Sequence, residues 1–189
     1  MTNNIPGKKL QTTFEGITPI MFDRYAGMDM TLPVDQKFYF ADDGKTLVLP
    51  SRNIMSFLSA ENTISAPKRL YDSKVYKNIC RACKSYVSID EFLIPFVRDG
   101  QPMLFNGFGD GQGLTIATDV ARLDKGVPND KKRPVIELPW SLQFTLTLWD
   151  NNELDVDKLI EIFVLGGIAV GLGTYRGVYG KFKASFVEL

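Results

Sequence analysis

Apolar and polar residues alternate over 142–148, where Leu142, Phe144, Leu146 and Leu148 are separated by Gln143, Thr145 and Thr147. A period of two predicts a strand with one core face and one polar face, inside a strand region running from Val135 to Trp149. The period then becomes helical: Val156, Leu159, Ile160 and Phe163 recur at i, i+3, i+4 and i+7 behind Asp155, the expected N-cap. Asp157 and Glu161 read as capping and solvated acids of the same helix. Gly166-Gly167 either weakens the helix end or lets it pack closely on a sheet, and a terminal strand is expected over Lys181–Glu188.

Earlier in the chain, residues 8–15 read as a first strand ending at the turn-like Gly16-Ile17-Thr18-Pro19. Residues 36–49 predict a hairpin insertion around Asp42-Asp43-Gly44, because Asp-Gly tolerates the positive φ of a tight turn. Pro50-Ser51 opens a helix with Ser51 placed to cap free amides, and Ile54, Phe57 and Leu58 follow at helical spacing. A second helix is expected from about Ala66 to Lys84, then a strand over Glu91–Val97 with Met103–Phe105 returning from a turn. Residues 106–134 show little apolar periodicity and read as an excursion from the core, ending in the basic run Lys131-Lys132-Arg133.

Composition narrows what such a chain can do. The 189 residues fit one domain with insertions, and 44% hydrophobic content is enough for a real core. Formal net charge is zero, so attraction to an anion must come from a local patch. Neither a signal core nor a run of roughly 18 apolar residues occurs, which leads us to expect a cytoplasmic protein without a membrane partner. Histidine is absent, which excludes Ser-His-Asp and Cys-His catalysis; an enzyme here would need carboxylates and a metal, or lysine and tyrosine. Cys80 and Cys83 are spaced C-x-x-C but lack further zinc ligands and a thioredoxin-like strand context, so they read as reduced structural thiols. The glycines of 107–113 lack the lysine-serine end of a P-loop, and no cofactor is expected.

Two segments carry candidate chemistry. From Gly171 to Gly180, four glycines surround Tyr175, Arg176 and Tyr179, a pattern expected of a loop whose amides and guanidinium approach phosphates while a tyrosine stacks on a base. The same pattern is also met in a glycine-rich helix-to-strand connection whose rings simply pack. Between Arg52 and Lys84 there are seven basic residues (Arg52, Lys68, Arg69, Lys74, Lys77, Arg81, Lys84) against Glu61 and Asp72, with Tyr71, Tyr76 and Tyr86 nearby. Interleaved cations and rings suit single-stranded nucleic acid, although a charge run is as often a solvated helix face.

The order of elements, an α+β arrangement, resembles the ferredoxin-like, RNA-recognition-type fold of the RAMP superfamily, in particular the backbone subunits of CRISPR effector complexes and their phage-encoded relatives. The likeness rests on Phe14–Met21, on Leu49-Pro50-Ser51-Arg52-Asn53 entering the first helix, and on Gly171–Phe182. It implies an antiparallel sheet with helices on one face and a non-catalytic subunit that repeats along single-stranded RNA or DNA as a homo-oligomer or multi-subunit ribonucleoprotein. By position, it places Ser51, Arg52 and Asn53 near the strand's backbone, Gly171, Gly173, Arg176 and Gly180 in a contact loop, and the 106–134 excursion as a thumb. Together with Lys68, Arg69, Lys77, Arg81 and Tyr175 from the residue chemistry, these form the expected interface. Two alternatives remain: a metal-dependent RAMP-type ribonuclease using Asp23 or Asp29, and a phage structural or protein-interaction protein.

Overall fold

The computed structural model describes residues 6–24, 27, 32–109, 111, 113–122 and 128–189. In chain order these form β1 (Gly7–Gly16), β2 (Ile20–Met21), β3 (Val48–Pro50), α1 (Ser51–Ser59), α2 (Ala66–Leu70), α3 (Ser73–Tyr86), β4 (Val87–Ile89), β5 (Leu93–Arg98) and β6 (Gln101–Pro102). There follow β7 (Leu114–Arg122), β8 (Pro128–Ile136), β9 (Ser141–Trp149), α4 (Val156–Ala169) and β10 (Phe182–Glu188). The fold is α+β. β1 lies between β10 and β9, antiparallel to both, and β4 pairs antiparallel with the far side of β9. With α1–α3 leading from β1 to β4 and α4 from β9 to β10, this is the split βαβ order of ferredoxin-like folds.

Side-chain alternation fixes which face is covered. Leu10, Phe14, Leu142, Phe144, Leu146 and Phe182 point into one core with Phe57 of α1 and Phe163 of α4. Phe14 stacks on Phe182 with centroids 4.1 Å apart and meets Phe144 edge-on at 5.0 Å, so the central strands are joined by rings as well as by backbone pairing. On the other face the central pairs are Gln11 with Thr145 and Thr13 with Gln143. These positions carry no ring, so the centre of this face lacks the aromatic platform on which RNA-recognition sheets stack bases.

Several elements differ from the sequence reading. The second helix is two, α2 and α3, because Asp72 accepts from the Lys74 and Val75 amides and restarts the chain as an N-cap. The expected hairpin at 36–49 is reduced to one bridge, Phe40 to Leu47: Asp35–Lys37 winds into a 3₁₀ turn and Val48–Pro50 pairs with β5 instead. The excursion holds an antiparallel ribbon, β7 against β8, which also joins β2 in a second small sheet. Its exposed Thr115, Ile116 and Thr118 bury too little to print a period in the sequence. The strand region 135–149 is broken at 137–140, where Trp140 lies directly on Gly16 and donates from Nε1 to the Thr18 carbonyl (2.9 Å). Asp155 caps α4 through the Lys158 amide (2.7 Å), as expected.

The edge of β9 that faces β4 and β5 decides the shape of the site below. β4 pairs with residues 146–148 and β5 with 141–142, leaving a gap. In that gap Glu91 accepts from the Thr145 amide and the Asp90 amide donates to the Thr145 carbonyl (3.0 Å). The chain therefore bulges away from the sheet at 90–92 and turns Phe92 outward.

Candidate functional site

The glycine loop is built by close approach. Gly171 and Gly180 both have positive φ and their backbones cross; a Cβ on Gly180 would collide with the Leu172 carbonyl. The amides of Leu172, Thr174, Gly177 and Gly180 donate to the carbonyls of Gly180, Met21, Val170 and Pro19, all within the protein. They close the α4–β10 connection and do not form a row facing outward. Arg176 is half-buried and donates from Nε to the Gly173 carbonyl (3.2 Å) and from Nη1 to the Ile64 carbonyl (2.7 Å). Burial pushes its guanidinium below the usual arginine range, and it remains a cation at neutral pH. Arg176 thus clamps the loop to the segment before α2. Tyr175 is exposed at positive φ with Tyr179 beside it.

The segment 60–65 between α1 and α2 is where the expected cations meet. Lys68 donates to the Glu61 carbonyl (2.9 Å), Lys84 pairs with the Glu61 carboxylate (2.9 Å), and Arg176 reaches Ile64. Lys84, and at longer range Lys77, hold the exposed Glu61 carboxyl below the usual range. Arg52 and Lys84 line one polar depression of about 510 Å³ together with Ser56, Glu61, Asn62 and Thr63. Five cations therefore meet the 60–65 segment or border its depression, and of these Lys84 pairs with the Glu61 carboxylate. Arg69 is exposed on α2, while Arg81 lies on the side of α3 that meets Glu153 (3.9 Å) and so stands apart from this group. Tyr71 and Tyr86 are half-buried, with hydroxyls donating to Glu161 of α4 and to Glu153 in the connection before it, and tie α2 and α3 to that part of the chain.

At the start of α1 the N-cap is Pro50, without a side-chain hydrogen bond, and Ser51 is the first helical residue, not the cap. The Ser51 amide donates to the Phe92 carbonyl (2.9 Å) and the Asn53 side chain to the Pro50 carbonyl (3.3 Å). Arg52 projects over the ring of Tyr39 at 5.5 Å, and Arg24 approaches the same ring at 5.8 Å. These groups and Phe92, whose ring is 86% exposed, border a second depression of about 300 Å³. Arg24, Tyr39 and Phe92 escaped the sequence reading, which placed Tyr39 in the expected hairpin and Phe92 in the expected strand over 91–97, whereas in the structure all three lie in separate loops.

Asp23, the early-loop aspartate, has three cationic neighbours: Lys131 at 2.6 Å, Arg133 at 3.2 Å and Lys37 at 3.7 Å. Burial works to raise its carboxyl, but hydrogen bonds and charges from Lys131 and Arg133 outweigh this and hold it below the usual aspartate range. Lys37 is itself buried and donates to the Lys132 carbonyl (2.6 Å), so this cluster fastens the base of the β7–β8 ribbon to the core. A carboxylate so occupied has little left to offer a metal. Asp29 lies outside the described residues. Among the described residues no group of three or more Cys, Asp or Glu side chains could hold a metal ion, and no helix is long and apolar enough to cross a membrane.

Neither a scan against models of protein families nor a search of curated proteins finds a match to this chain.

Proposed function

We propose that this chain is a non-catalytic protein that binds single-stranded nucleic acid, RNA in preference to DNA, and assembles with itself along the strand in the cytoplasm, in the manner of a CRISPR-type backbone subunit. The observation that carries the reading is the gathering of Arg52, Lys68, Lys77, Lys84 and Arg176 around 60–65 in a chain of zero net charge. A strand lying there would have its phosphates met by Arg52, Lys68 and Lys84, while Arg176 holds the loop in place and adds its charge from behind. The RAMP resemblance supplies the preference for RNA and the repeating assembly; the ferredoxin-like order and the projecting ribbon are compatible with both.

The test is fluorescence anisotropy with labelled 40-nucleotide RNA and DNA single strands over a salt series. Binding should weaken steeply with salt, and Arg52→Ala with Lys84→Ala should weaken it further and flatten the salt slope by about one unit for each phosphate no longer neutralised. Unchanged affinity in that double variant would overturn the site. A second reading, protein docking, draws on the exposed Val164, Leu165 and Ile168 of α4, which form one apolar stripe. Wild-type protein that binds neither RNA nor DNA would favour it.

A further inference from the structure

We propose that the depression between Tyr39 and Phe92 is a slot for one unstacked nucleobase, with the flanking phosphate held by Arg24 and Arg52. The inference rests on the nucleic-acid reading above and adds to it a base-recognising position that the basic groups around 60–65 do not supply.

Phe92 is the most exposed large apolar side chain among the described residues. Its exposure is built in. Glu91 on one side is tied to the Thr145 amide, and the Phe92 carbonyl accepts from Ser51 at the start of α1, so the backbone that carries the ring is anchored to both the sheet and a helix. A rigidly presented ring loses little freedom when a flat partner stacks on it.

Across the depression, Tyr39 is half-buried and packs edge-on against Phe22 in the core. Both guanidinium groups lie within about 6 Å of its ring, the reach of a cation–π contact. Neither Arg24 nor Arg52 has a carboxylate partner among the described residues, and no acid borders the depression. Among the described residues the site is thus two rings and two cations that form no ion pair. An inorganic anion would leave Phe92 idle, and a neutral apolar ligand would leave two guanidinium groups unmatched. A nucleotide matches both kinds of group: a π-face for Phe92, and a phosphate for the two guanidinium groups that Tyr39 supports from behind.

Aromatic phosphopeptides share part of this chemistry. The strand is favoured because Arg52 also borders the polar depression of about 510 Å³, next to Lys84, where further phosphates along a polymer would lie. Duplexes keep their bases stacked inside, so the slot selects single strands.

The experiment compares wild type and Phe92→Ala on a 20-nucleotide single strand, the same strand made abasic throughout, and the corresponding duplex. Wild type should bind the base-bearing strand best. Phe92→Ala should weaken that binding by roughly 5- to 150-fold, the usual range for loss of one base-stacking ring, and leave the abasic strand unchanged. Phe92→Trp should restore it, and the melting temperature should not move in either variant because the ring is exposed. Equal binding of base-bearing strand by wild type and Phe92→Ala would overturn the slot while the strand-binding function stands. Failure of wild type to bind any strand at low salt would overturn the functional reading itself. Displacement of bound strand by a phosphotyrosine peptide at lower concentration than by a mononucleotide would reassign the slot to a protein ligand.

Discussion

Glu91 accepts the Thr145 amide with both carboxylate oxygens, at 2.9 and 3.1 Å, in the stretch of β9 that neither β4 nor β5 covers. A side chain here takes the place of a neighbouring strand. Removing it in Glu91→Ala leaves a half-buried N–H without an acceptor, and stability should fall by about 1–2 kcal/mol in urea denaturation. Strand binding should fall too, since the bulge that presents Phe92 loses its anchor. Phe92→Ala should lose the binding alone, and this contrast separates the anchor from the ring.

Arg176 behaves differently from a surface cation. Its two hydrogen bonds to carbonyls join the glycine loop to 60–65, so Arg176→Ala should cost about 2–3 kcal/mol, the scale of charge-assisted bonds removed from a partly buried group. Arg52→Ala, on an exposed side chain, should stay within about 0.5 kcal/mol of wild type. Thermal melts of the two variants side by side check this; equal midpoints would refute the clamp.

Asp23 gives the fold a defined acid sensitivity. Its folded-state pKa lies below the ordinary aspartate value of about 3.9, so its pairs contribute stability that is fully present above that value and lost as pH falls through the lower folded one. Asp23→Asn should lower stability at pH 7 by about 1–3 kcal/mol, by leaving Lys37, Lys131 and Arg133 without their shared counter-charge, and the difference from wild type should vanish at strongly acidic pH. The same variant should leave strand length unchanged with magnesium present. Magnesium-dependent cleavage that Asp23→Asn abolishes would restore the nuclease reading.

Cys80 and Cys83 are both buried; burial raises both thiols, and Cys83 is pushed up to about 12. Thiolate is the reactive form, so neither should react appreciably with a thiol reagent such as DTNB in the native protein at pH 8, and both should react after unfolding. Rapid native labelling would show that α3 opens readily.

What the sequence disclosed follows what each element buries. β1, β9, α4 and β10 pack one face on the core; β1 and α4 are legible with nearly correct ends, β9 by its alternation over 142–148 inside an expected run that is in fact broken at 137–140, and β10 as a terminal strand without a clear period. The β7–β8 ribbon buries Leu114, Val135 and Ile136 at its base, but Thr115, Ile116 and Thr118 beyond them are exposed, so backbone pairing carries that part and the residue pattern is silent there. The break between α2 and α3 is visible in the sequence only as Asp72 within an otherwise helical stretch, and it reads as a cap once Lys74 and Val75 are seen to donate to it. Of the candidate residues, Arg52, Lys68 and Lys77 can be named from local charge density. Their meeting with Arg176 depends on a hydrogen bond across 112 positions, and the pairing of Tyr39 with Phe92 depends on a sheet bulge; neither leaves a short-range signature.

Arg52 borders both depressions, with rings on one side of it and a cationic shelf on the other. The two sides are unlike, so the surface has a direction. A strand seated across Arg52 would meet the ring slot first from one end and the phosphate shelf first from the other, and its 5′ and 3′ ends are not interchangeable. Copies spaced along one strand would then all face the same way, and the polarity of the nucleic acid would set the polarity of the array.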